Sequence, residues 1–146
     1  MKVFLDTNVL AAAAATRGLC ADVLREVLVC HQLLLSDQVL TELKRVLRSK
    51  FAIGQDLIEE YILLLQQDSI LVEAADMPKV KLRDKDDLGI LGAAVAGGAD
   101  VLVTGDRELL DLHHIENVEI LSPRQFWEKV KTRKGPDGRG ERRGSC

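Results

Sequence analysis

Brief apolar runs alternate along the chain with longer amphipathic stretches. Residues 3–5 (VFL), 33–35 (LLL), 70–72 (ILV), 101–103 (VLV) and 118–121 (VEIL) are short, apolar and bounded by polar residues, which predicts strands. The intervening stretches carry helical spacing. Residues 9–15 and 20–31 favour helix, and Val39, Leu40, Leu43, Val46 and Leu47 form one stripe that Ser36 can cap. Residues 55–67 carry Leu57, Ile58, Tyr61, Ile62, Leu64 and Leu65 at mostly helical spacing. The run Asp84, Lys85, Asp86, Asp87 opens a helix of small residues that stops at Gly97 and Gly98. Ser122 followed by Pro123 has the form of an N-cap with proline at the first helical position. Repeated strand–helix units with short links predict a three-layer α/β/α domain with a central parallel sheet and right-handed crossovers. In such sheets sites gather at the carboxyl ends of the strands, where Asp6 and Asp106 both fall.

A length of 146 residues with 47% hydrophobic and 29% charged side chains fits one globular domain, with a core that needs neither a disulfide framework nor a metal staple. The domain is expected over residues 1–131. Residues 132–146 are basic and, from Lys134 on (KGPDGRGERRGSC), hold no apolar residue before the final cysteine, so a disordered tail is expected. The net charge of −3 is unevenly spread: residues 129–146 carry seven basic and two acidic side chains, or +5, which leaves −8 on residues 1–128. A protein that gripped a polyanion by charge alone would show the opposite body, so a nucleic-acid role requires something to neutralise that acidity. Cys20, Cys30 and Cys146 are an odd count without a CxxC pair, which suits a reducing compartment and argues against structural zinc; Cys20 and Cys30 read as small hydrophobes. No apolar run approaches bilayer length, and MKVFLDTN puts an aspartate where a signal peptide needs its apolar core. A cytoplasmic protein with no membrane partner is therefore expected.

Candidate chemistry is almost entirely carboxylate. Asp6 directly follows an apolar strand and Asp106 follows VLVTG, so two carboxylates are expected side by side at one sheet edge; each could also cap the helix or turn behind it. Asp84, Asp86 and Asp87 crowd the first turn of a helix, where the dipole favours anions and Asp84 can serve as cap. Asp87 shares its stripe with Ile90, Leu91 and Ala94 and so faces the core side, where a carboxylate needs a partner or a metal. Asp86 is offset, and solvent exposure, an outer contact and direct ligation all stay open for it. Glu42, on the margin of the stripe of Val39, Leu43 and Val46, reads alone as a surface pair with Arg45, worth a few tenths of a kcal/mol; aimed at the same strand ends as Asp6 it becomes a fourth carboxylate. His31, His113 and His114 lack metal-pair spacing and read as surface or loop residues. The absence of GxGxxG and GxxxxGK[ST] removes dinucleotide and P-loop functions, and the alanines from Ala11 to Ala15 suit close helix–sheet packing.

These segments together resemble a PIN domain, and more narrowly the PIN-type toxins of toxin–antitoxin systems. The resemblance covers residues 1–131 and rests on VFLDTNVL, on LSDQVLTELKRVL with Glu42, on RDKDDLGILGAAVAGGADVLVTGDRELL with Asp87 and Asp106, and on ILSPRQFW, in that order. It implies a metal-dependent endoribonuclease whose acidic residues are Asp6, Glu42, Asp87 and Asp106, with Asn8 and Thr104 as supporting polar groups. Asp86 and Asp84 stand beside Asp87 as rivals or helpers. It also implies an RNA substrate and a cognate antitoxin, and allows a homo-oligomer. The residues' own chemistry agrees, since hard oxygen ligands select Mg²⁺ or Mn²⁺, and an acidic patch filled by a divalent cation becomes a phosphate site.

Two other classes compete. A haloacid-dehalogenase-like phosphohydrolase would use FLDTNVL as its nucleophile motif, Ser36, Lys79 or Lys81, and GDRELLD; against it, Asn8 replaces the usual second aspartate and Glu42 and Asp87 go unexplained. A catalytically silent protein-binding domain would leave the carboxylates solvated.

Overall fold

A computed structural model describes residues 1–73, 78, 80–83 and 85–133. The described elements run β1 (Lys2–Leu5), α1 (Thr7–Ala15), α2 (Leu19–Cys30), β2 (Gln32–Ser36), α3 (Asp37–Ser49), α4 (Gln55–Gln67), β3 (Ser69–Val72), α5 (Lys85–Ala96), β4 (Val101–Val103), α6 (Arg107–Leu110), β5 (His114–Ile115), β6 (Val118–Leu121) and α7 (Pro123–Arg133). The six strands form one sheet in the order β3-β2-β1-β4-β6-β5, parallel except for the β5–β6 pair. Strand order reverses at β1: the chain moves outward through β2 and β3, then crosses back to place β4 on the other side. Right-handed crossovers then put α5 on the face opposite α1 to α4, so the sheet is the middle of three layers.

Burial follows from that sandwich. Phe4, Leu5, Leu33, Leu34, Leu35, Leu102 and Val103 have no exposed surface, as expected for central parallel strands covered on both faces. Local signals end the helices where the sequence predicts. Ser36 Oγ accepts from the Val39 N–H at 3.3 Å to start α3, and Ser122 Oγ accepts from the Gln125 N–H at 3.1 Å to start α7. Gly98, at φ +69°, closes α5 with the Ala99 N–H returning to the Ala94 carbonyl at 3.0 Å.

Several expectations change. The sheet gains the antiparallel edge strand β5, built between the left-handed residues His113 (φ 62°) and Glu116 (φ 50°), and the four-residue α6 follows β4. His31, expected at the surface or in a loop, lies in the link between α2 and β2 but is only 11% exposed, its Nε2 3.2 Å from the Glu26 carboxylate and its ring edge-on to Phe126 at 6.0 Å. Cys20 is a free, partly buried thiol packed against the core, whereas Cys30, partly exposed at the end of α2, is not a core hydrophobe. The expected cap Asp84, Lys79, and the tail from residue 134 on lie outside the described residues. Among the described residues no helix is long and apolar enough to cross a membrane.

Candidate active site

Strand order reverses between β1 and β4, the place in an open parallel sheet where sites form outside the carboxyl ends of the strands. Leu5 pairs with Val103, and the ladder continues one residue further through the Asp6 N–H to the Val103 carbonyl at 3.0 Å. Asp6 and Thr104 thus leave the sheet side by side. Asp6 is 5% exposed and its carboxylate is held at both ends: Oδ1 accepts from the Thr7 N–H at 2.7 Å and Oδ2 from the Thr104 hydroxyl at 2.7 Å. The fully buried Thr104 hydroxyl in turn accepts from the Asp106 N–H at 3.0 Å. Asp106 Oδ1 caps α6, accepting from the Glu108 and Leu109 N–H groups at 2.8 and 3.3 Å. Both strand-end aspartates therefore cap the helices behind them and also share one edge; a carboxylate has lone pairs enough for both.

Glu42 reaches this edge from α3. Its Oε2 accepts from the Thr7 hydroxyl at 3.3 Å and its Oε1 from Gln38 Nε2 at 3.2 Å, in place of the surface pair with Arg45. The electrostatics join the three acids. Burial pushes the Asp6 pKa above its ordinary value, the bonds from Thr104 and Thr7 pull it back, and the charges of Glu42 and then Asp106 raise it further.

Asp87 is 8% exposed in the first turn of α5, as its stripe predicts. That helix start is held from two sides. The Arg83 N–H donates to both carboxylate oxygens of Glu108 at 3.1 Å, and the Asp86 carbonyl accepts from Gln38 Nε2 at 2.8 Å. Asp87 is thereby carried between α6, behind Asp106, and α3, which bears Glu42. The Asp86 side chain is exposed, and Asn8 lies exposed in the first turn of α1 with no side-chain hydrogen bond among the described residues. Thr7 and Gln38 are additions to the expected set; the one cue in the sequence is that Gln38 precedes Glu42 by four residues and so shares its helix face.

Among the described residues no three acidic, histidine or cysteine side chains close on one point as a cation cage. The donor chemistry nonetheless fits a hard cation, because Asp6, Glu42, Asp87, Asp106 and Thr104 offer oxygen alone and buried Asp6 carries charge that like-charged neighbours leave uncompensated.

Comparison with known proteins bears on the fold and the family. The chain is similar in fold to a crystal structure of VapBC2 from Rickettsia felis bound to a DNA fragment from their promoter, with a TM-score of 0.61 and 17% identity over 82% of this chain and 97% of that one. No curated protein shows significant sequence similarity. A PIN domain profile matches residues 2–108, a span that runs from β1 through the helix bearing Glu42 to the turn capped by Asp106. The chain belongs to the PIN-domain family.

Proposed function

We propose that the protein is a divalent-metal-dependent endoribonuclease and the toxin of a toxin–antitoxin pair. One observation carries this reading: Asp6, buried where strand order reverses, is raised in pKa by burial and by the neighbouring charges of Glu42 and Asp106, so the fold maintains a costly carboxylate exactly where a cation would relieve it. Asp6, Asp106, Asp87 and Glu42 would hold Mg²⁺ or Mn²⁺, with the exposed Asp86 at the rim. When bound, the ion supplies an acidified water and positive charge for the phosphodiester oxygens. The chain's own groups do the positioning. Thr104 orients Asp6 and fixes the backbone of Asp106, Thr7 links the first turn of α1 to Glu42, and Asn8 is exposed beside them to meet RNA. An antitoxin would restrain the enzyme by covering this groove, an Arg or Lys replacing the cation against the carboxylates. The phosphohydrolase alternative loses support, since Ser36 is 3% exposed and occupied as the cap of α3.

Cleavage of a labelled RNA in Mn²⁺ and in EDTA tests the reading, with Asp6→Asn as the control because the amide is nearly isosteric but lacks the charge. Wild type should cut only with metal, and the folded variant should fall to background. The cap bonds of Asp6 and Asp106 favour one other reading, a silent domain in which both carboxylates are structural; it requires wild type to show no metal-dependent cleavage.

A further inference from the structure

We infer that Gln38 is a positioning residue, a strut between the helix that carries Glu42 and the helix end that carries Asp87, and that Gly89 exists to admit it. The inference rests on the nuclease reading above and adds to it a residue outside the acidic set.

Gln38 is half-buried in the first turn of α3. Its Nε2 donates to Glu42 Oε1 at 3.2 Å and to the Asp86 carbonyl at 2.8 Å. A carboxylate and a carbonyl are both acceptors, so the amide must turn its NH₂ toward them, and its two hydrogens match the two partners. The amide oxygen then points at α5, where a Cβ on Gly89 would overlap Oε1 and stand 3.0 Å from Cδ. Glycine inside a helix is unfavourable by about 1 kcal/mol relative to alanine, so an opposing requirement is needed, and room for this amide supplies it. α3 and α5 reach the site from opposite faces of the sheet. Gln38 ties Glu42 to the backbone one residue before Asp87, so the separation of these two carboxylates depends on it.

The obstruction at Gly89 is the movable end of a side chain. Gly89→Ala should therefore displace the amide instead of the helices, while improving the helix propensity of α5. That separates positioning from stability. The experiment compares wild type, Gln38→Ala, Gly89→Ala and the double variant by RNA-cleavage kinetics in Mn²⁺, by melting, and by amide hydrogen exchange at residues 89 and 90. Each single change should lower kcat by about tenfold, equivalent to about 1.4 kcal/mol and close to the net worth of one hydrogen bond, with KM within about twofold. Exchange at the start of α5 should quicken in both. Gly89→Ala should melt no lower than wild type, and the double variant should be no slower than Gln38→Ala, because both remove the same contact. Wild-type kcat in the single variants, or losses that multiply in the double variant, would overturn the strut. A kcat loss matched by a fall in melting temperature in Gly89→Ala would do the same. If wild type cleaves no RNA, the nuclease reading fails by itself, and exchange alone decides: unchanged exchange in Gln38→Ala removes the strut, and quickened exchange in both single variants retains it.

Discussion

Thr104 shows how much one hydroxyl can hold in place. Its proton goes to Asp6 and its oxygen receives the Asp106 N–H, so a single fully buried group fixes both strand-end acids. Thr104→Val keeps the shape but strands a backbone donor and removes a bond from a buried carboxylate. Denaturant unfolding should show a loss of about 1–3 kcal/mol, and Thr104→Ser should recover most of it. Asp6 makes a pH prediction of definite sign. Its folded pKa lies above the ordinary 3.8, so it binds more protons folded than unfolded and opposes folding at neutral pH. That penalty shrinks as pH falls toward the raised value and is gone below the unfolded one. In EDTA, the wild-type melting temperature should therefore gain on Asp6→Asn as the pH is lowered from neutral toward the ordinary 3.8; a gap that narrows nowhere along that range would show that Asp6 is not raised. Asp6, Asp106 and Asp87 were legible in the sequence because strand ends and helix phase are local properties. Thr7 and Gln38 were not, since their partners lie 35 and 48 residues away and only the folded sheet edge brings them together.

At the scale of elements, α3 is the delivery arm for both Gln38 and Glu42, and its first turn hangs on the Ser36 cap. Ser36→Ala should cost about 1 kcal/mol in denaturant unfolding and, by fraying the turn that bears Gln38, lower cleavage as well. The joint loss contrasts with Gly89→Ala, where activity should fall without stability. The capped and glycine-closed ends of α3, α5 and α7 could be read from the chain because each boundary is written in one or two residues. The two-residue β5 and four-residue α6 could not, for they are shorter than any period that would reveal them. α6 exists because Asp106 caps it, and β5 because His113 and Glu116 adopt positive φ around it. That His31 is a loop residue was legible, but its burial was not, as it depends on the contacts with Glu26 and Phe126 that form once α2 turns into β2.

For the whole molecule the governing feature is charge. The sequence carries −8 on residues 1–128 and +5 on residues 129–146, so on the proposed reading RNA would approach an acidic body that a bound cation would locally reverse. Deleting residues 134–146 should leave the salt dependence of RNA binding unchanged if the basic end is only solvated; a flatter slope would assign it phosphate contacts. The parallel sheet, the three layers and the strand-end positions of Asp6 and Asp106 all followed from the alternation of strands and helices, whereas the contacts of Glu42 with Thr7 and Gln38 required the fold. What the carboxylates have in common is tested most directly by melting wild type and Asp6→Asn near pH 7 in EDTA and in Mn²⁺. If they form one cation site, Mn²⁺ raises wild-type stability by RT ln(1 + [L]/Kd), about 2.7 kcal/mol at a hundred times Kd, and leaves Asp6→Asn where EDTA left it. A wild-type melting temperature that Mn²⁺ does not move, or an equal rise in the variant, would contradict that claim.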